Sequence, residues 1–193
     1  FTAVGPNWTI ENLVLHMGGL HNIENALVAV AVAMHLGVEP QKIKAALANF
    51  AGVKRRFEYL VKKEDQVLID DYAHHPAELA ALITGVRSLY PTSKLTLVFQ
   101  PHLFSRTQDL CDGFAASLSA ADEVVLLPIY PARELPIPGV TSEMIIEKMT
   151  HNNVVLLEKE AVSAWVKKQQ PKLLVMAGAG DIDVLIRNIK NDL

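Results

Sequence analysis

From residue 57 onward, short apolar runs alternate with longer stretches at helical spacing. The runs fall at 67–69, 95–99, 124–127, 154–157 and 173–176, and the helical stretches at 76–89, 107–118, 142–149, 161–169 and 182–189. Strands that are apolar throughout, rather than at every second position, are buried on both faces. Alternation of such strands with helices therefore predicts an α/β fold: a Rossmann-like, doubly wound, mostly parallel sheet with helices on both sides. Residues 57–61 read as one further edge strand.

Before residue 53 the pattern differs. A short strand is expected at 10–15. An Ala- and Val-rich segment, 22–36, is apolar on nearly every face, which predicts a helix buried on several sides, with Gly37 as its stop. A second helix is expected over 40–50, opened by Pro40 at the tolerated first-turn position and closed by Ala51-Gly52. The chain thus divides into a helical remnant, 1–52, and a doubly wound domain, 53–193.

Composition narrows the function classes. Half of the residues are hydrophobic, and 18 basic residues stand against 21 acidic ones without a block of like charge. Neither nucleic-acid nor membrane-surface binding is expected from that balance. A lone cysteine, Cys111, allows no internal disulfide and suits a reducing, cytoplasmic setting. The longest apolar run, 26–34, is too short to span a bilayer, and no signal peptide is visible. The chain begins at Phe1 rather than at methionine, as an excised piece of a longer protein would.

In a doubly wound sheet ligands bind beyond the carboxyl ends of the strands, and there the polar residues collect. After Ile69 come Asp70, Asp71, Tyr72, His74 and His75. Gln100, His102, Ser105 and Arg106 follow Phe99, and Tyr130, Arg133 and Glu134 follow Leu127. Gly178-Ala179-Gly180-Asp181 follows the last run. The opposite strand ends carry ordinary surface residues such as Ser93-Lys94 and Lys172. Asp71 is either a cap for the next helix or a carboxylate for ribose hydroxyls. His74 and His75 lack Cys, Asp or Glu partners at ligand spacing, so no metal site is assigned. Gln100-Pro101-His102 is either a plain rigid turn or, if the segment is helical, the start of a face that His102 shares with Arg106, where the arginine can fork onto a carboxylate. Gly178-Ala179-Gly180 could form a phosphate-cradling nest but lacks the third glycine of a dinucleotide fingerprint, which favours a close-packed strand-to-helix turn. Lys54-Arg55-Arg56 is either a solvated linker or a neutraliser of phosphates. Asn22 caps the first long helix, while Asn25, further in, has an amide able to bond an adenine edge.

Three segments in order, Gly19-Leu20-His21-Asn22-Ile23-Glu24-Asn25-Ala26, Gly52-Val53-Lys54-Arg55-Arg56-Phe57-Glu58 and Asp70-Asp71-Tyr72-Ala73-His74-His75-Pro76, resemble the Mur ligase family. Two more, residues 99–107 (FQPHLFSRT) and 130–134 (YPARE), are similar to the branch that joins L-alanine to UDP-N-acetylmuramate. The resemblance implies three domains, with residues 1–52 as the end of the central ATP-binding domain and 53–193 as the Rossmann-like C-terminal domain. No G-x-x-x-x-G-K-[ST] phosphate loop exists in the chain, so it is expected to be inactive alone, with no catalytic residue acting by itself. Carried over by resemblance, Asn22 and Asn25 bond adenine, Arg56 reaches the ATP phosphates, and Asp71 holds the ribose. Tyr72 and His74 shape the nucleotide pocket, and His102 and Arg106 grip L-alanine. The implied partners are ATP, UDP-N-acetylmuramate and L-alanine, with magnesium held mainly by residues outside this chain. Two alternatives stay open: the murein-recycling branch that attaches a tripeptide, and a non-catalytic nucleotide-binding module.

Overall fold

The computed structural model describes residues 1–192, including all of their side chains except those of Arg187, Asn191 and Asp192. Contacts divide the chain into two units, Phe1–Val53 and Lys54–Leu193.

In the first unit, β1 (Ala3–Gly5) and β2 (Trp8–Ile10) form an antiparallel hairpin joined through Pro6 and Asn7. This corrects the strand expected at 10–15: only Ile10 belongs to a strand, although Leu13 is buried and donates its N–H to the Phe1 carbonyl at 2.8 Å. The helices are α1 (Leu20–His35) and α2 (Pro40–Ala48). Burial on α1 follows a single stripe, Asn22, Ala26 and Val30, one residue per turn. Val30 packs with Ala3, Ile10, Leu13 and Ile43. Leu20, Val28, Val32 and Leu36 are exposed, so the all-round burial expected of this helix is not found.

The second unit opens with β3 (Glu58–Lys62), antiparallel to β4 (Val67–Asp71). There follow α3 (Pro76–Leu89), β5 (Leu95–Phe99), α4 (Phe104–Asp109), α5 (Cys111–Leu118), β6 (Glu123–Leu126) and α6 (Glu143–Ile146). The chain then runs through β7 (Val154–Leu156), α7 (Lys159–Gln169), β8 (Leu173–Ala177) and α8 (Asp183–Asp192). The sheet order is β3-β4-β8-β5-β6-β7, parallel save for the β3 edge. The one long helix expected over 107–118 is two, meeting at Leu110, whose φ of −113° and ψ of 17° leave the helical region.

Strict alternation along the strands builds two cores. Ile69, Leu97, Phe99, Leu126 and Val175 pack with Leu79, Leu82, Phe114 and Leu118 from α3 and α5. Leu68, Val98, Val125, Leu174 and Met176 pack with Val162, Val166, Ile186 and Ile189 from α7 and α8. Each such side chain contributes about 1.5–3 kcal/mol on burial. The helices α3 and α8, which leave the adjacent strands β4 and β8, therefore lie on opposite faces of the sheet. That divergence opens a crevice at the carboxyl ends of β4, β8 and β5, where the polar residues stand. Among the described residues no helix is long and apolar enough to cross a membrane.

Candidate functional site

The turn after β4 is built from inside. Asp70 and Asp71 close the strand and are 2% and 6% exposed. Asp71 Oδ2 accepts the Phe57 N–H and Oδ1 the Ala73 N–H, both at 2.8 Å. The carboxylate expected to hold a ribose is thus turned into the fold, where it ties the start of β3 to the exit of β4. Asp70 faces Arg55, whose Nε lies 3.5 Å from Oδ2. Burial pushes this acid up to about 7; Arg55 pulls it back, while Glu58, Asp71 and Asp183 push the same way as burial. Arg55 is not a solvated linker residue. Its Nη2 donates to the Gly178 carbonyl and its Nη1 to that of Gly180, fastening the turn after β8, and its own carbonyl accepts the Tyr72 N–H at 2.7 Å.

Above this base runs a row of rings and cations. The guanidinium groups of Arg55 and Arg56 sit 5.1 and 5.5 Å from the Tyr72 ring centre. Tyr72 meets His74 edge-on at 5.3 Å, His74 meets His102 edge-on at 6.2 Å, and His102 stacks on Tyr130 at 5.7 Å. Arg106 Nη1 lies 3.3 Å from His102 Nδ1. A guanidinium only donates, so this Nδ1 carries the lone pair and the ring proton sits on Nε2. Burial, then Arg106 and His74, hold the His102 imidazole below its ordinary pKa, keeping it neutral at pH 7. His74 is the opposite tautomer. Its Nδ1 faces only acceptors, the Tyr72 carbonyl at 2.9 Å and Glu78 Oε2 at 3.2 Å, so Nδ1 carries the proton.

Glu78 Oε2 also accepts the N–H of His74 and His75 as half of a capping box at the start of α3. Across the crevice, Glu134 accepts from Ser105 N at 3.0 Å and Ser105 Oγ at 2.5 Å, which holds its carboxyl below the usual range. That clamp joins the Tyr130 loop to α4, the helix that carries Arg106.

Of the expected residues, Arg56, Tyr72, His74, His102 and Arg106 meet in this row. Asp71 lies beneath it. Asn22 and Asn25 belong to the first unit: Asn22 is buried with its Nδ2 donating to the Gly18 carbonyl at 2.7 Å, and Asn25 is exposed. The two glycines after β8 are required by close approach. A Cβ on Gly178 would meet the Gln100 carbonyl oxygen at 2.9 Å, and one on Gly180 would meet Gln100 Oε1 at 2.5 Å and Tyr130 Cγ at 2.7 Å. Gln100 Nε2 and Lys159 Nζ both donate to Asp181 beside that turn. Sequence reasoning missed Glu78 and Lys159. Glu78 was within reach, since a glutamate two residues after Pro76 is a capping-box signal; Lys159 carries no such signal. Among the described residues no three His, Cys, Asp or Glu side chains are arranged to hold a metal ion.

Residues 55–180 match the model of one protein family, the Mur ligase, glutamate ligase domain. The chain belongs to the Mur ligase family. Its relatives include the UDP-N-acetylmuramate–L-alanine ligase of Christiangramia forsetii, 47% identical over the whole of this chain, which spans 43% of that protein. The match falls on the C-terminal part of such longer Mur ligases. Among solved structures, the UDP-N-acetylmuramate-alanine ligase of Thermotoga maritima is 28% identical with a TM-score of 0.78, over 93% of this chain and 39% of that one. The murein peptide ligase of Psychrobacter arcticus is 25% identical with a TM-score of 0.62, over 93% and 38%. The family resemblance read from the motifs is therefore borne out, and so is the Rossmann-like fold.

Proposed function

We propose that this chain is the closing part of an ATP-dependent, amide-forming ligase of the cytoplasm. The full-length enzyme joins L-alanine to UDP-N-acetylmuramate through an acyl phosphate, in peptidoglycan synthesis. The observation that carries the reading is the coupling of Arg106 to His102 at the strand ends, in the same row as Tyr72 and Arg56. A guanidinium and an imidazole N–H side by side suit the carboxylate of a small amino acid. Arg56, exposed at the other end of the row, has the freedom to reach a transferring phosphate.

In this reading the first unit is the end of the central ATP-binding domain, and Asn22 and Asn25 are its adenine contacts. Tyr72 lines the nucleotide side, with His74 at the join between nucleotide and amino acid. Asp71 is a framework residue that holds the turn in place rather than a ribose ligand. Arg56 fits a phosphate group; among the described residues no set of side chains fits magnesium, and no step is assigned to it. Catalysis of this kind depends on positioning, charge neutralisation and exclusion of water from the acyl phosphate rather than on a covalent enzyme intermediate.

The test is an amide-forming assay of the full-length protein with ATP and UDP-N-acetylmuramate, comparing L-alanine with the L-alanyl tripeptide of murein recycling. Preference for alanine is expected. Preference for the tripeptide would move the protein to the recycling branch, and no ATP-dependent ligation of either would leave only a nucleotide-binding module.

A further inference from the structure

We propose that His74 is the base that takes the proton from the incoming amino group, with Glu78 as the residue that positions it. This rests on the ligase reading and adds a role to a residue otherwise placed on the nucleotide side. Two imidazoles with centres 6.2 Å apart are held in complementary tautomers. His74 Nδ1–H points at the Tyr72 carbonyl and Glu78, which leaves its Nε2 lone pair as an acceptor. His102 Nδ1 is taken by Arg106, which leaves Nε2–H as a donor. An α-amino acid presents the matching pair, an ammonium that donates and a carboxylate that accepts, on one carbon. The carboxylate goes to His102 and Arg106, and the ammonium to His74. A carboxylate on the far nitrogen of an imidazole is the arrangement by which a base is oriented and its cationic form stabilised.

The step balances without a further reactant. The ammonium gives one proton to His74 Nε2, and the freed nitrogen lone pair attacks the carbonyl carbon of the acyl phosphate. The C–N bond forms, and the C–O bond to phosphate breaks with its electron pair leaving on the phosphate. The surplus proton on the new amide nitrogen departs with that phosphate.

The experiment separates proton removal from acyl phosphate formation. Full-length enzyme and its His74→Phe variant, which keeps a ring but no nitrogen, are assayed with ATP, UDP-N-acetylmuramate and either L-alanine or hydroxylamine. Hydroxylamine is already unprotonated at neutral pH and needs no base. Compared at saturating ATP, so that any weakened nucleotide contact affects both reactions alike, the variant is expected to lose about 10²–10⁴-fold more in alanine ligation than in hydroxamate formation. Equal losses with both nucleophiles would place His74 in acyl phosphate formation and overturn the proposal. So would an unchanged alanine rate. If the parent forms neither product, the ligase reading itself fails, a result distinct from either. Should the variant fold poorly, ring ¹⁵N shifts of the 193-residue chain read the tautomers directly: His74 protonated at Nδ1 and His102 at Nε2 are expected, and His74 protonated at Nε2 overturns the base assignment. Glu78→Gln, which keeps a capping acceptor, is expected to lower the turnover number with alanine while leaving its KM and the hydroxamate rate near those of the parent. A change confined to KM would make Glu78 a binding residue instead.

Discussion

The two ends of the sheet are made of the same residue types and use them oppositely. At the amino ends, charges are paired off. Asp122 Oδ2 accepts from Arg87 at 2.8 Å and from the Leu95 N–H at 2.6 Å; those hydrogen bonds, the arginine's first, hold its carboxyl below the usual range. Glu123 takes Lys94 and the Thr96 hydroxyl, each at 3.0 Å. At the carboxyl ends, Arg55 Nε, Asp70 Oδ1 and Gln100 Oε1 are buried without a hydrogen bond; among the described residues only His151 Nε2, just before β7, shares that state. Arg55, Phe57, Leu103 and Ala132 hold φ values of +50° to +74° there without being glycine, against Gln170 alone, at +47°, before β8 among the described residues of the amino ends. Each unpaired or strained group costs about 1–3 kcal/mol. One end is arranged for stability; the other carries unmet hydrogen bonds and strain where a ligand is to be met.

Substitutions sharpen the contrast. The largest effect is expected from Arg106→Ala in the full-length enzyme: KM for alanine rises about 100-fold, on the order of 3 kcal/mol, while KM for ATP moves by less than about threefold. Equal changes in both would remove Arg106 from the amino-acid side. Next, Gly180→Ala forces a methyl against Gln100 and Tyr130 and should destabilise the chain by about 1–3 kcal/mol in chemical denaturation. An unchanged midpoint would show that the turn yields.

A smaller effect, but one of opposite sign at the two ends, is expected in the pH dependence of stability. Asp70 holds its proton in the folded chain up to about 7 but releases it near 4 when unfolded, so its contribution declines as pH rises through that window. Asp70→Asn removes the decline, and the stability difference should swing toward the variant between about pH 4 and 7. Asp122 is depressed, so its stabilisation is present above the unfolded pKa and is lost as pH falls through the folded one. Asp122→Asn is therefore most harmful near neutrality, and its deficit shrinks in acid. Parallel pH slopes for the two variants would erase the distinction. Smallest of all, Lys94→Ala, at an exposed surface pair, should change stability by no more than about 0.5 kcal/mol.

What was legible in the chain follows from the same physics. Strands buried on both faces, such as 95–99 with Thr96 its one polar residue, are long enough for burial to dominate, and each of the five runs carries a strand. His102 and Arg106 were readable as a pair from their four-residue spacing, but not as one helix face: Arg106 lies on α4, while His102 precedes the helix and bridges to Tyr130. Two buried acids in succession were not readable as framework. A strand buried on both faces sends Asp70 and Asp71 inward to opposite sides, where Arg55 for the first and the N–H groups of Phe57 and Ala73 for the second help to make that tolerable. The strand expected at 10–15 failed for a related reason: only Ile10 and Leu13 are buried, the first in a hairpin strand three residues long and the second in a coil segment, while Val14 is exposed, and no periodicity marks that.

The position of β8 has a consequence for how the chain is made. It is the last of the six sheet strands in chain order, yet it lies between β4 and β5, and the Gly178 and Gly180 carbonyls that hold Arg55 are 123 and 125 residues away from it. A nascent chain that has emerged only through α7 therefore holds two strands with unmatched edges facing an empty slot. The Arg55 anchor beneath the Tyr72–His102 row closes when the final strand slides in, so loss of that strand would dismantle a crevice whose other residues were all synthesised before it.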